Sequence, residues 1–227
     1  MLTMEAYLDN SATTRVDAQV QELMKKLMDV DFGNPSSRHQ KGVVAEGYIK
    51  EARQKIAATL KVDPKEFIIT SGGTESNNMA LIGTALAAKR KGNHIITTAV
   101  EHPSVKATAS FLEEQGFRIT FLSVDSRGQI SLEDLKEALT PDTILVSIMY
   151  VNNEIGTIQP VEEAAKLVHA TVPGAVFHVD AIQAYGKVMI RPKQQGIDLL
   201  SVSSHKFHGP KGAGFLYCSS KVNLHPI

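Results

Sequence analysis

Apolar residues recur along this chain in two rhythms, one helical and one strand-like. Between Arg15 and Val30, Val16, Val20, Leu23, Met24, Leu27 and Met28 fall at helical spacing. The loop DFGNPSS (31–37) ends that helix, because Gly33 and Pro35 both break it. A second helix is predicted over Gly42–Leu60, with Val43, Ile49, Ile56 and Leu60 apolar. Past residue 66 the pattern changes to short apolar runs: 67–70, 94–98, 118–124, 143–150, 175–180, 198–203 and 214–219. Helical segments fall between them: from SGGTESNN to about Arg90, Val105–Gln115, a helix capped by Ser131 with Asp134 three residues on, and Val161–His169. Strands that are apolar throughout and alternate with helices predict an α/β fold. The sheet should be mostly parallel, of the seven-stranded type, with helices on both faces. In such sheets a ligand site lies at the carboxyl ends of the strands.

Composition narrows the partners. The chain has 227 residues, with 24 Lys+Arg against 24 Asp+Glu, so it carries no net charge to favour nucleic acid or an anionic membrane surface. No run approaches the roughly 18 apolar residues of a membrane span. The opening MLTMEAYLDN lacks the basic patch and apolar core of a secretory signal. A single cysteine, Cys218, excludes an intramolecular disulfide framework and a cysteine-built zinc site, so a reducing cytoplasm is the expected location.

Five strand ends carry candidate chemistry. After FIIT come Ser71, Gly72, Gly73 and Thr74, opening a helix. Glycines let backbone approach an anion, a helix N-terminus offers free N–H groups, and Thr74 adds a hydroxyl; an ordinary glycine turn with Thr74 as cap is the alternative. Asp180 ends AVFHVD, a costly place for a carboxylate without a partner, although it could simply cap the next segment; Gln183 lies three residues on. His102, after HIITT, can stack on an aromatic ligand or shuttle protons, or can be structural. Asn152 and Asn153 follow TILVSIMY and serve equally as polar ligands or turn residues. DLLSVS delivers Ser203, Ser204, His205 and Lys206 to the same rim. A Schiff-base lysine needs a depressed pKa, whereas a solvated loop lysine needs nothing from its neighbours. Together, an anion cradle, a stacking ring, a carboxylate, a polar ligand and a reactive lysine match one cofactor, pyridoxal 5'-phosphate (PLP).

The motifs YLDNSATT (7–14), DFGNPSS (31–37), TSGGTESNN (70–78), EHPSV (101–105), VNNEIGTIQP (151–160), HVDAIQAYGK (178–187) and SSHKFHGPKGAGFLY (203–217) closely resemble those of the cysteine desulfurases. These are fold-type I PLP enzymes of the class V aminotransferase group, and HKFHGPKG resembles the iron–sulfur-assembly branch. The resemblance implies that Lys206 binds the cofactor aldehyde and later moves protons, and that Asp180 pairs with the pyridinium nitrogen. It implies that His102 stacks on the ring and acts as acid and base, and that Gln183 bonds the phenolic oxygen. Thr74, Ser203, His205 and the Gly73 backbone would hold the phosphate, and Asn153 would lie near the ring oxygen and substrate carboxylate. The implied reaction takes sulfur from L-cysteine, giving L-alanine and an enzyme persulfide for an iron–sulfur scaffold or sulfur-carrier protein. The implied assembly is a homodimer.

The resemblance also sets expectations about what is missing. Residues 15–227 would form the PLP-binding large domain, and residues 1–14 a segment that in the family packs with a C-terminal small domain. That domain, with its sulfur-carrying loop cysteine and substrate-binding arginine, has no counterpart here, nor does a phosphate contact from the partner subunit. Apolar surface should therefore be uncovered, with Tyr7 and Leu8 losing support. Cys218 does not match the family's catalytic position and reads as a buried small hydrophobe. A selenocysteine lyase, a β-lyase or a non-catalytic dimerising homologue would also suit the fold.

Overall fold

The computed structural model describes residues 6–227; the first five residues of the expected N-terminal segment, and of the stretch read against a signal sequence, lie outside it. Seven strands form one sheet: β1 (Phe67–Thr70), β2 (His94–Thr98), β3 (Arg118–Leu122), β4 (Thr143–Met149), β5 (Val176–Asp180), β6 (Leu199–Ser203) and β7 (Gly214–Cys218). Their order is β1-β7-β6-β5-β4-β2-β3. Strands β3, β2, β4, β5 and β6 pair parallel to their neighbours, and β7 alone runs antiparallel, between β6 and β1. The predicted mostly parallel sheet is thus present, with one reversed strand. All seven residues of β4 and all five of β2 and β6 are buried, as strands covered on both faces require.

Helices α3 (Gly73–Ala88) and α4 (Pro103–Glu114) cover one face with Leu81, Ala85, Val105 and Leu112 against Ile95, Leu145 and Leu199. Helices α5 (Leu132–Ala138) and α6 (Val161–Thr171) and the end of α2 (Gln40–Leu60) cover the other, where Leu135, Val168 and Leu60 pack with Val146, Phe177 and Leu200. Ser131 caps α5 as expected, accepting from Asp134 N. A one-turn helix, α7 (Pro192–Gln195), and a 3₁₀ turn (Ser204–Lys206) carry too few residues for a periodic pattern to reveal them.

Three helix starts differ from the sequence expectation, α2 by opening two residues early at Gln40. The first helix, α1 (Ala18–Asp29), opens three residues later than predicted because the Asp17 carboxylate accepts from Gln19 N and stops the helix there. Helix α4 opens two residues earlier, since Pro103 suits the first turn, where its missing N–H costs nothing. The apolar stripe of α1 forms but covers no core: none of its residues is buried, and Met28 is 70% exposed. Tyr7, Leu8, Phe32 and Val43 are also exposed.

Candidate active site

The carboxyl ends of β1, β2, β4, β5 and β6 meet at one rim, over a cavity of about 500 Å³. Gly73, Thr74, His102, Asn153, Asp180, Gln183, Ser203, His205 and Lys206 all line it, so the fold brings together every site residue expected from the sequence. Asp9, Ser11 and Ala12 close it from the N-terminal segment.

The glycine loop is built by backbone contact. A Cβ on Gly214 would stand 2.5 Å from Val202 O and 2.8 Å from Gly72 Cα, so only glycine lets the first residue of β7 press against the loop. Gly72 has φ +153°, a value costly for other residues, and no side chain caps α3. The first N–H groups of α3 therefore stay available to an anion beside the Ser203 and Thr74 hydroxyls.

Asp180 is 4% exposed. Its Oδ1 accepts from Ile182 N at 3.0 Å and its Oδ2 from Asn77 Nδ2 at 2.8 Å. Burial pushes its pKa up, against those two donors and the charges of His102 and Lys206. A carboxylate in this state favours a further N–H donor or cation from the cavity. Asn77 sits one turn into α3 and also donates to Ser104 Oγ at 3.0 Å.

His102 is the N-cap of α4, and its Nδ1 accepts from Ser104 N at 3.1 Å. A neutral ring making that bond carries its proton on Nε2. Beneath it, Glu101 is 2% exposed and accepts on Oε1 from Thr98 Oγ1 at 2.9 Å and Met149 N at 2.8 Å. Burial, helped by Asp180, pushes its pKa up to about 8. Asn152 forms the turn: its Oδ1 accepts from Glu154 N and Ile155 N, and its Nδ2 donates to Val100 O. Of the two asparagines, only Asn153 reaches the cavity.

Lys206 Nζ donates to Ser11 O at 2.6 Å and Ala12 O at 2.7 Å. Its pKa is lowered by burial and by Lys187, with Asp9 and Asp180 acting the other way. His205 is lowered by burial, Lys206 and Lys211. The strap that holds Lys206 is itself anchored: Thr14 N donates to His205 O at 2.8 Å, and Gln183 Nε2 to Ser11 O at 2.8 Å. Sequence reasoning missed Glu101, Asn77 and the Ser11 and Ala12 carbonyls. All lie inside the motifs YLDNSATT, TSGGTESNN and EHPSV, but burial and backbone acceptors carry no local signal.

Cys218 lies at the opposite end of the strands from this rim, the far edge. It pairs with Leu199 at the start of β6, whereas Gly214, at the other end of the same strand, pairs with Ser203 at the rim.

The family pattern "Aminotransferase class-V" matches residues 6–227. The cysteine desulfurase IscS of Dictyoglomus turgidum is 49% identical over 98% of this chain and 56% of its own length. A solved structure titled "NIFS-LIKE PROTEIN" superposes with a TM-score of 0.96 at 42% identity, over 99% of this chain and 61% of the other. Another, "SspA in complex with cysteine", gives 0.94 at 40% identity, over 98% and 64%. The chain thus spans little more than half the length of the curated relatives it matches. On this evidence the chain belongs to the class V aminotransferase family, with cysteine desulfurases among its near relatives and PLP chemistry general to the group.

Proposed function

We propose that residues 15–227 are the PLP-binding large domain of a cysteine desulfurase that takes sulfur from L-cysteine for a scaffold or carrier protein. The observation that carries this reading is the convergence of all nine expected residues on one cavity at the strand ends. The fit to PLP rests on three features. The α3 start has uncapped N–H groups, and the Gly72–Gly214 contact keeps it open. Asp180 is a buried carboxylate suited to a pyridinium N–H. Lys206 is an amine whose proton is loosened by burial.

When bound, PLP would supply an electron sink for negative charge on the substrate carbon. The chain would supply the rest. Gly73 N, Thr74, Ser203 and His205 would hold the phosphate. Asp180 would keep the ring nitrogen charged, aligned by Asn77 and Ile182 N. Gln183 would donate to the phenolic oxygen. Lys206 would hold the cofactor aldehyde and then move a proton. His102 would stack on the ring and carry its mobile proton on Nε2. Asn153 would orient the substrate carboxylate. The exposed apolar residues of α1 and the neighbouring segments suit a homodimer and the remainder of a full-length enzyme. A cytoplasmic location is part of this reading, supported by the single cysteine of the sequence; separately, among the described residues no helix is long and apolar enough to cross a membrane.

The test is colour. Purified chain given PLP should develop a visible absorbance band that L-cysteine shifts. A chain that stays colourless, or a Lys206→Ala variant that keeps the band, would overturn the cofactor assignment.

A further inference from the structure

Gln183 and Lys187 stand four residues apart in the helical turns after β5, where Tyr185 N donates to Ala181 O and Val188 N to Ala184 O, both at 2.9 Å. Lys187 Nζ donates to Gln183 Oε1 at 3.3 Å, and Gln183 Nε2 donates to Ser11 O at 2.8 Å. The same Ser11 carbonyl accepts Lys206 Nζ at 2.6 Å. A continuous path thus joins the two lysines: ammonium, carboxamide, shared carbonyl, ammonium.

The partners decide which way the carboxamide faces. A lysine ammonium only donates and a peptide carbonyl only accepts. Lys187 therefore requires the amide oxygen, and Ser11 requires the nitrogen. A flipped amide would set donor against donor at one end and acceptor against acceptor at the other. Nothing else within hydrogen-bond reach of Gln183 enforces this choice among the described contacts.

We propose that Lys187 is a positioning residue for the pocket. It locks the Gln183 carboxamide with its NH₂ group toward Ser11 and the cavity, and it links a second ammonium to Lys206 through that carboxamide and the Ser11 carbonyl. A second ammonium in the same hydrogen-bonded chain favours loss of a proton from Lys206. Lys187 acts to lower Lys206, and burial lowers Lys187 itself. The other ionisable groups that bear on Lys206 are Asp9 from the N-terminal strap and Asp180 from β5, which favour its charged form, while His205 in the 3₁₀ turn is itself lowered by Lys206. Lys187 is the cation among them that makes Lys206 easier to deprotonate while staying out of the cavity lining.

The part of this role that concerns PLP rests on the proposed function, so the test has two arms. In the first, the 227-residue chain without added cofactor is treated with formaldehyde and a mild hydride reductant across a pH series, and methylation of Lys206 is read by peptide mass spectrometry. Lys187→Met should move the pH midpoint of Lys206 reaction upward by about half a unit, a modest shift because the Lys187 side chain is partly solvated. Lys187→Arg, which keeps a cationic donor, should hold the midpoint near wild type. Thermal unfolding of each variant controls for folding, and Lys187→Gln carries the same expectation as Lys187→Met. In the second arm, the pH midpoint of the visible band of PLP-loaded chain should move in the same direction. An unmoved Lys206 midpoint in Lys187→Met and Lys187→Gln, or an Arg variant that shifts as far as they do, overturns the proposal. A wild-type chain that never develops the band defeats the cofactor reading alone, while the methylation arm still decides the role of Lys187.

Discussion

The two edges of this sheet carry the same kinds of residue and differ in what those residues face. The rim cavity is the smaller, at about 500 Å³ against about 670 Å³ for the cavity at the opposite edge. At that far edge polar groups satisfy one another: Lys193 pairs with Glu66 at 2.9 Å, and His169 Nε2 lies 2.9 Å from Gly196 O and 3.4 Å from Asp198 Oδ2. At the rim, Asp180 is held by neutral amide donors and Lys206 by carbonyls, so both keep capacity for something else. Volume therefore does not mark the site; convergent polar groups without charged partners do. Burial favours the neutral form at both ends, with opposite consequences for the two nucleophiles. It lowers the amine of Lys206, favouring the neutral nucleophile, and raises the thiol of Cys218, removing one.

The largest expected effect comes from removing the rim amine. Lys206→Ala should abolish the visible band with PLP while leaving the fold intact, since Lys206 makes no core contact; absorbance and circular dichroism check this. Next is the rim carboxylate. Asp180→Asn removes the charge that would pair with the ring nitrogen and should weaken PLP retention about a hundredfold, measured by equilibrium dialysis. If both variants bind PLP like wild type, the rim is no more a site than the far edge.

Gly214→Ala tests the backbone contact on which the rim depends. The added methyl meets Val202 O and Gly72 Cα, neither of which is a flexible side-chain end. A loss of about 2 kcal/mol in denaturant unfolding is expected, together with weaker PLP binding. A smaller effect concerns Glu101. With a folded pKa of about 8, above its ordinary value, it keeps its proton in the folded chain while the unfolded chain releases it. Between pH 5 and 8 the folded state then binds more protons, so stability falls as pH rises, by at most about 1.4 kcal/mol per pH unit from one group. Glu101→Gln keeps the neutral acceptor and should flatten that slope, leaving the part due to Asp180. Denaturant midpoints at pH 5, 6.5 and 8 check the sign, and an unchanged slope would mean that Glu101 is ionised in the fold.

Much of this was legible in the sequence, for physical reasons that also explain the omissions. Buried strands are apolar on both faces, so β2, β4 and β6 showed as runs such as TILVSIMY, and their ends showed as the polar residues that follow. The direction of β7 was open to inference: ten residues separate Ser203 from Gly214, too few for a parallel crossover, which needs about a dozen or more. The Gly72–Gly214 contact was not legible, because it joins positions far apart in the chain. Glu101 reads as a surface charge from its type alone; only its neighbours make it a buried acid. The Ser11 and Ala12 carbonyls that hold Lys206 are backbone atoms, for which residue identity gives no sign.

The smallest expected effect comes from the one thiol, and it tests the contrast between the edges most sharply. Cys218 ends the reversed strand, so the antiparallel turn that puts Gly214 at the rim also carries this side chain to the far edge. Burial raises its pKa to about 11, and Asp198 and Glu66 add to the effect. At pH 7 only about one molecule in ten thousand would then carry the thiolate that could attack or accept sulfur. Cys218→Ala should leave the PLP band and its response to L-cysteine unchanged and cost about 1 kcal/mol or less in stability, since the residue acts as a half-buried hydrophobe. Iodoacetamide should label Cys218 at least about tenfold more slowly in the folded chain than in denaturant. Intact-mass measurement after PLP and L-cysteine should show no sulfur added to this chain at that position. Sulfur found on Cys218 would break the contrast, because it would make the far edge part of the chemistry.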